Sequence, residues 1–240
     1  MNKILQLYHD NAAREKLPAN LVRNGADADI YIYDVIDPDW GISALSVIAA
    51  IAQAGAVGTL NIHINSPGGS VFEGRAIMAA LSAYPGKTVA HIDSLCASAA
   101  TSIALACNEV VMSQGAFFMI HNAQSMAWGD KAALRATADM LEKIEGAIVA
   151  DYVNKTGKDV AEITAWMDAE TWFTADEALA AGFVDRIADN AAKTSNAWNL
   201  AAYANAPALS HAPAPVPTPE PIPDPHTATR ERSLALLTRI

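Results

Sequence analysis

Cysteine is nearly absent from this chain of 240 residues: Cys96 and Cys107 are the only two. Two thiols in apolar sequence, without metal-ligand spacing, exclude a disulfide-built scaffold and fit reduced core cysteines in a reducing compartment. Basic residues are also in short supply, with 16 Lys and Arg against 26 Asp and Glu and a formal net charge of −10. That balance excludes general nucleic-acid binding and favours a solvated surface. Long apolar runs are missing too. The most apolar stretch, residues 44–54, is too short to span a bilayer, and the N-terminus turns polar before any signal-peptide core develops. The expectation is a soluble cytoplasmic protein without membrane association. No internal repeat and no cluster of metal ligands stands out, and no cofactor is expected.

What is abundant is apolar sequence in short blocks. Hydrophobic residues make up 52% of the chain and charged ones 18%, enough for one domain of ordinary size with a real core. Strand-like runs at 30–36, 59–64, 88–92, 109–112, 116–120 and 183–187 alternate with helix-like stretches at 43–54, 71–84, 99–106 and 131–155. A short helix follows Thr174, whose spacing to Glu177 is a capping box, and Gly182 closes it. Such alternation predicts an α/β fold with parallel strands. The expected division is an N-terminal segment at 1–26, a folded domain at 27–189 and a Pro/Ala-rich linker at 190–226. A short helix or disordered tail completes the chain at 227–240. The run A-P-A-P-V-P-T-P-E-P-I-P-D-P within 211–225 lacks the backbone donors for helix or sheet and reads as an extended spacer.

Three segments carry the chemistry: I-N-S-P-G-G-S from Ile64, S-L-C-A-S-A-A-T-S from Ser94, and F-F-M-I-H-N from Phe117. Acyl transfer needs an oxyanion site, a nucleophile and a base, and these segments offer one of each. Ser98 stands where a strand gives way to a helix, among the small residues Ala97, Ala99 and Ala100. Free N–H groups in a first helical turn suit a developing oxyanion. Ser102, one turn later, is the competing nucleophile, and for either serine the plainer role is a cap or a packed hydroxyl. Gly68 and Gly69 allow a backbone N–H to approach a carbonyl closely, although a plain tight turn explains them as well. His121 ends an apolar strand, where sites form in open α/β sheets. His63 and His91 read as packing or surface residues.

In that order and spacing, residues 27–189 resemble the proteolytic subunit of the Clp protease, and in flavour the Clp-like proteases encoded with phage head genes. I-N-S-P-G-G resembles the oxyanion loop, C-A-S-A-A the nucleophile segment and M-I-H-N the histidine motif. The resemblance implies a ClpP/crotonase-type fold with Ser98 as nucleophile and His121 as general base. It also implies oxyanion donors at the N–H groups of Gly69 and Ala99. The family's acid precedes an F-x-[ST]-A-x-E-A segment; the register in M-D-A-E-T-W-F-T-A-D-E-A places Glu170 there, where the family has aspartate. Asp168 is the alternative acid and shares a strand face with Glu170 if the segment is extended. The resemblance further implies a homo-oligomeric ring and peptide or protein substrates. Its partner is an ATP-driven unfoldase in the cellular enzymes, or scaffold and capsid proteins in prohead maturation. Two other readings share parts of this pattern: a crotonase-fold enzyme acting on acyl-CoA, and a non-catalytic assembly protein. A membrane-bound peptidase with a Ser-Lys pair is disfavoured by M-I-H-N.

Overall fold

A computed structural model describes residues 3–14, 19–189 and 198–207. Eight strands form one sheet, ordered β1-β2-β3-β4-β5-β8, with β6 beside β4 and β7 beside β6. The strands are β1 (Asn20–Asn24), β2 (Asp27–Ile32), β3 (Thr59–Ser66), β4 (Lys87–Ala97), β5 (Glu109–Met112), β6 (Phe117–Ile120), β7 (Thr171–Phe173) and β8 (Arg186–Ile187). All neighbours pair in parallel except β1 with β2 and β6 with β7. The α/β class with a largely parallel sheet is therefore the one the alternating sequence predicts.

Seven helices accompany the strands among the described residues: α1 (Lys3–Asp10), α2 (Ala44–Ala54), α3 (Val71–Ser82), α4 (Ala99–Leu105), α5 (Lys131–Thr156), α6 (Val160–Asp168) and α7 (Ala175–Ala181). Side-chain caps begin most of them. Ser43, Ser70, Asp130 and Asp159 each accept a backbone N–H of the first turn, and Thr174 with Glu177 completes the expected capping box. The main core joins Ile30, Ile32, Leu60, Ile62, Ile64 and Ile92 of the central strands to Val47, Ile77 and Ile103 of α2, α3 and α4. Strand side chains alternate between faces, so Tyr31, His63 and His91 point the other way and stack in a row across β2, β3 and β4.

Four features differ from the sequence expectation. The strand expected at 30–36 ends at Ile32, because Asp34 accepts the Val35 N–H and Ile36 leaves the ladder to bridge Ile42 and Gly69. The strand expected at 88–92 runs on to Ala97; its first half pairs with β5 and its second half with β6. Residues 160–168 form α6, so Asp168 ends a helix and does not share a strand face with Glu170. Finally, β1 adds an antiparallel edge from within the expected N-terminal segment, and residues 198–207 pack on the domain from within the expected linker. Most of the spans 190–226 and 227–240, including the Pro-rich run, lie outside the described residues.

Residues 198–207 and α1 build a second apolar cluster on the sheet face opposite the main core. Leu7 and Tyr8 of α1 meet Leu95 and Ala97 of β4, Met119 of β6, and Trp198, Leu200 and Ala202 of the C-terminal segment. This cluster lies beneath the end of β4, where the chain enters Ser98.

Candidate active site

Ser98 occupies a sharp junction between β4 and α4. Its N–H donates to Met119 O at 2.9 Å, anchoring it to β6, and its φ of 54° is left-handed. A non-glycine residue held there costs about 1–3 kcal/mol, and such strain persists where the surroundings over-determine it. The only other left-handed non-glycine among the described residues is Glu170, with φ 47°. Both belong to the group of residues that the motifs single out.

The turn from Ser66 to Ser70 lies directly against this junction. Gly68, at φ 90°, has no room for a side chain: a Cβ would stand 2.5 Å from Ala97 O and 2.7 Å from Ser98 Cβ. Gly69 is equally confined, with Ile36 O 2.3 Å from where its Cβ would be. Two bonds between Ile36 and this turn, Ile36 N–H to Gly68 O and Ser70 N–H to Ile36 O, fix it in place. The turn therefore brings glycine backbone alongside the Ser98 side chain, as a surface that binds a carbonyl requires.

His121 follows β6 immediately and reaches back across β4. Its Nε2 lies 2.8 Å from Ser98 Oγ, so of the two candidate serines it is Ser98 that meets the imidazole. Ser102 is buried within α4. The neighbouring Thr101 hydroxyl is 2.6 Å from Ser98 O and 2.6 Å from the Tyr152 hydroxyl, which braces the junction from the core side.

The two candidate acids stand in different settings. The β6–β7 ladder pairs Phe118 with Phe173, Met119 with Trp172 and Ile120 with Thr171; the next step of that register sets His121 against Glu170. Glu170 is buried at 8% exposure. Its carboxylate accepts the N–H of Ala204 at 3.0 Å, the N–H of Asn205 at 2.7 Å and the Trp172 indole N–H at 3.3 Å. Asp168, by contrast, accepts from the Asn122 side-chain amide at 2.7 Å, on the surface.

A cavity of about 50 Å³ opens in front of Ser98 and His121. Its apolar walls come from Leu7, Tyr8, Val71, Ala123, Ala202 and Tyr203. Sequence reasoning missed the part played here by α1 and by residues 198–207. The available signal was Trp198, Leu200 and Tyr203, apolar and aromatic residues standing just before the Pro-rich run. Burial, and after it the Glu170 charge, pushes the Tyr203 phenol well above its usual range, so it stays protonated and donates to Pro67 O at 2.5 Å. No group of three or more metal-binding side chains, and no helix long and apolar enough to cross a membrane, occurs among the described residues.

Comparison with known proteins bears on this arrangement. A sequence model of the Clp protease family matches residues 21–191. Subunit 3 of the ATP-dependent Clp protease proteolytic component from Rhodococcus jostii is 27% identical over 168 residues, covering 66% of this chain and 79% of the relative. Proteolytic subunit 2 from Mycolicibacterium paratuberculosis is 27% identical over 177 residues, covering 70% and 85%. Among solved structures, a point mutant of ClpP1 from Listeria monocytogenes superposes with a TM-score of 0.61 at 22% identity, over 68% of this chain and 91% of that one. At that identity the superposition speaks for a ClpP-type fold.

Proposed function

The chain belongs to the Clp protease family and is a ClpP-like serine peptidase, and from that premise we propose that Ser98, His121 and Glu170 are its triad. The observation that carries the reading is the 2.8 Å contact between His121 Nε2 and the Oγ of a strained Ser98. His121 takes the hydroxyl proton as Oγ attacks a peptide carbonyl. The N–H groups of Gly69 and Ala99 hold the oxyanion: Ala99 opens α4, where first-turn N–H groups have no helical acceptor, and Gly69 belongs to the turn against Ser98. His121 then protonates the leaving amine, and water hydrolyses the acyl-enzyme by the reverse proton path. Glu170 orients the imidazole and stabilises its cationic form.

The assembly that fits this reading is a homo-oligomeric ring enclosing the sites and served by an ATP-driven unfoldase; its support is that the relatives are named as proteolytic subunits of an ATP-dependent protease. The finer reading is digestion of scaffold during phage prohead maturation. Its support is the Pro-rich chain beyond residue 205, which lies outside the family match. Proteolysis of a scaffold protein without any ATPase would favour it, and a strict ATPase requirement would favour the cellular type. An acyl-CoA enzyme on the same scaffold has no use for the Ser98–His121 contact.

The test is a fluorophosphonate probe followed by peptide mapping. A single adduct on Ser98, absent from Ser98→Ala, is expected. A folded, assembled protein that stays unlabelled would remove the acyl-transfer reading.

A further inference from the structure

Residues 198–207 are not a surface strand of linker. Trp198 is fully buried, its indole N–H donates to Asn65 Oδ1 at 2.9 Å, and the Arg14 guanidinium lies 3.2 Å over its ring. Asn11, just after α1, clamps the next residue, donating to Asn199 O and accepting the Asn199 N–H, each at 2.9 Å. At the other end, the Asn205 side chain donates to Ala169 O at 2.7 Å. Between these anchors the segment touches all three parts of the site. Tyr203 donates to Pro67 O in the glycine turn, and its ring stands edge-on to His121 at 5.6 Å and to Trp172 at 5.6 Å. The next two backbone N–H groups bond both oxygens of Glu170.

From these contacts we infer that residues 198–205 are a positioning strap for the triad, acting through the Glu170 carboxylate. A buried carboxylate without partners is strongly disfavoured, whereas one that accepts several N–H groups is held both charged and in place. Besides the Trp172 indole, the N–H donors that the structure gives Glu170 come from the strap. Position 170 is also left-handed, so its side-chain direction has to be fixed by what surrounds it. The strap supplies that constraint and walls the cavity before Ser98 with Ala202 and Tyr203. The family match stops at residue 191, so this element lies outside the matched domain. The inference rests on Glu170 being the triad acid.

Removing one main-chain donor tests it. Ala204→Pro deletes the N–H that bonds Glu170 Oε2, while Ala204→Gly keeps it. In the full-length assembled enzyme, Ala204→Pro is expected to lower kcat on a short peptide by about tenfold to a hundredfold with KM changed less than about threefold. Ala204→Gly should stay within about threefold of wild type. In a Glu170→Ala background, Ala204→Pro should add less than about threefold, because both changes then act on one group. The outcomes separate the two readings. Full activity in Glu170→Ala removes Glu170 as the acid. A crippled Glu170→Ala beside an unaffected Ala204→Pro leaves that acid in place and overturns the strap. Fully multiplicative losses also overturn it, since damage is then not transmitted through Glu170. Higher activity in Ala204→Pro would mean that the segment occludes the site rather than completing it. Should Ala204→Pro not assemble, Asn205→Pro, which deletes the N–H to Glu170 Oε1, takes its place with Asn205→Ala as the donor-retaining control.

Discussion

His63 and His121 belong to one sheet, and on a residue-by-residue view His63 has the better furnished setting. Asp93 Oδ2 is 2.9 Å from its Nδ1, the Tyr33 hydroxyl donates to that same oxygen at 2.6 Å, and the rings of Tyr31 and His91 stack on either side at 4.7 and 4.8 Å. An imidazole held by a carboxylate supplies two of the three members of a hydrolytic triad. Yet what lies beyond that pair is aromatic packing and the Asp29 carboxylate, 3.9 Å from His63 Nε2, with no strained serine and no confined glycine turn. His121 has those instead: Ser98 Oγ at 2.8 Å, the Gly68–Gly69 turn alongside and a cavity in front. The difference teaches that a histidine–carboxylate pair is common structural furniture. Function attaches to the place where nucleophile, donors and an open approach converge.

The sharpest way to break that comparison is to remove each histidine in turn. His121→Ala and Ser98→Ala should each lower kcat/KM on a peptide by roughly 10⁴ to 10⁶, the range seen when a triad member is lost. His63→Ala should leave it within about threefold, because nothing in its surroundings touches the cavity. Comparable losses in both histidine variants would erase the distinction drawn above.

Next in size is the choice of acid. Glu170→Gln keeps the shape and removes the charge, and a fall in kcat of roughly 10² to 10⁴ is expected. Asp168→Asn removes only the charge from the surface bond with Asn122 and should cost less than about tenfold. Reversal of that ranking in steady-state kinetics would transfer the acid role to Asp168.

Much of this site was legible in the sequence because local chemistry forces it. Gly68 must be glycine where a Cβ would strike Ala97 O, and small residues around Ser98 let backbone pass close by. Residues that act by long-range packing left weaker traces. The second half of β4, Leu95–Cys96–Ala97, gives no strand signal apart from its apolar character, because the pattern of a strand buried on both faces does not alternate. The position of Glu170 follows from the end of α6 and the start of β7, two short elements that no periodicity marks. The strap depends on contacts spanning up to 188 residues, such as Asn11 with Asn199, and no sequence window contains both partners.

A smaller effect separates backbone confinement at the site from ordinary turn geometry elsewhere. Gly68→Ala should reduce kcat at least tenfold, since its Cβ pushes directly on Ser98 and on Ala97 O. Gly25 also has positive φ, at 66°, but a Cβ there meets nothing within 4 Å. Gly25→Ala should therefore cost about 1 kcal/mol of stability for its left-handed backbone and leave kcat unchanged. Thermal unfolding beside kinetics distinguishes strain that disturbs chemistry from strain that only destabilises.

The smallest effect is a pH dependence that divides the two histidine regions by observable. His91 stacks on His63, and its Nε2 lies 3.2 Å from Asn61 Oδ1. Burial first, and then the His63 charge, lowers its pKa below the ordinary histidine value; Asp93 and Asp29 oppose the shift, and Arg186 adds to it. The folded state thus binds this proton less readily than the unfolded state does. Stability from the neutral ring is present above about pH 6.5 and is lost as pH falls toward the lowered folded value. His91→Gln cannot titrate, so its unfolding midpoint should fall less steeply with acid over that window. Peptidase activity should still fall with acid in His91→Gln as it does in the wild type, because His121, the proposed general base, lies outside the stack and has to be neutral to accept the Ser98 proton. A variant that flattened both curves would show that the stack and the active site titrate as one network, and the separation between His63 and His121 would then be structural only.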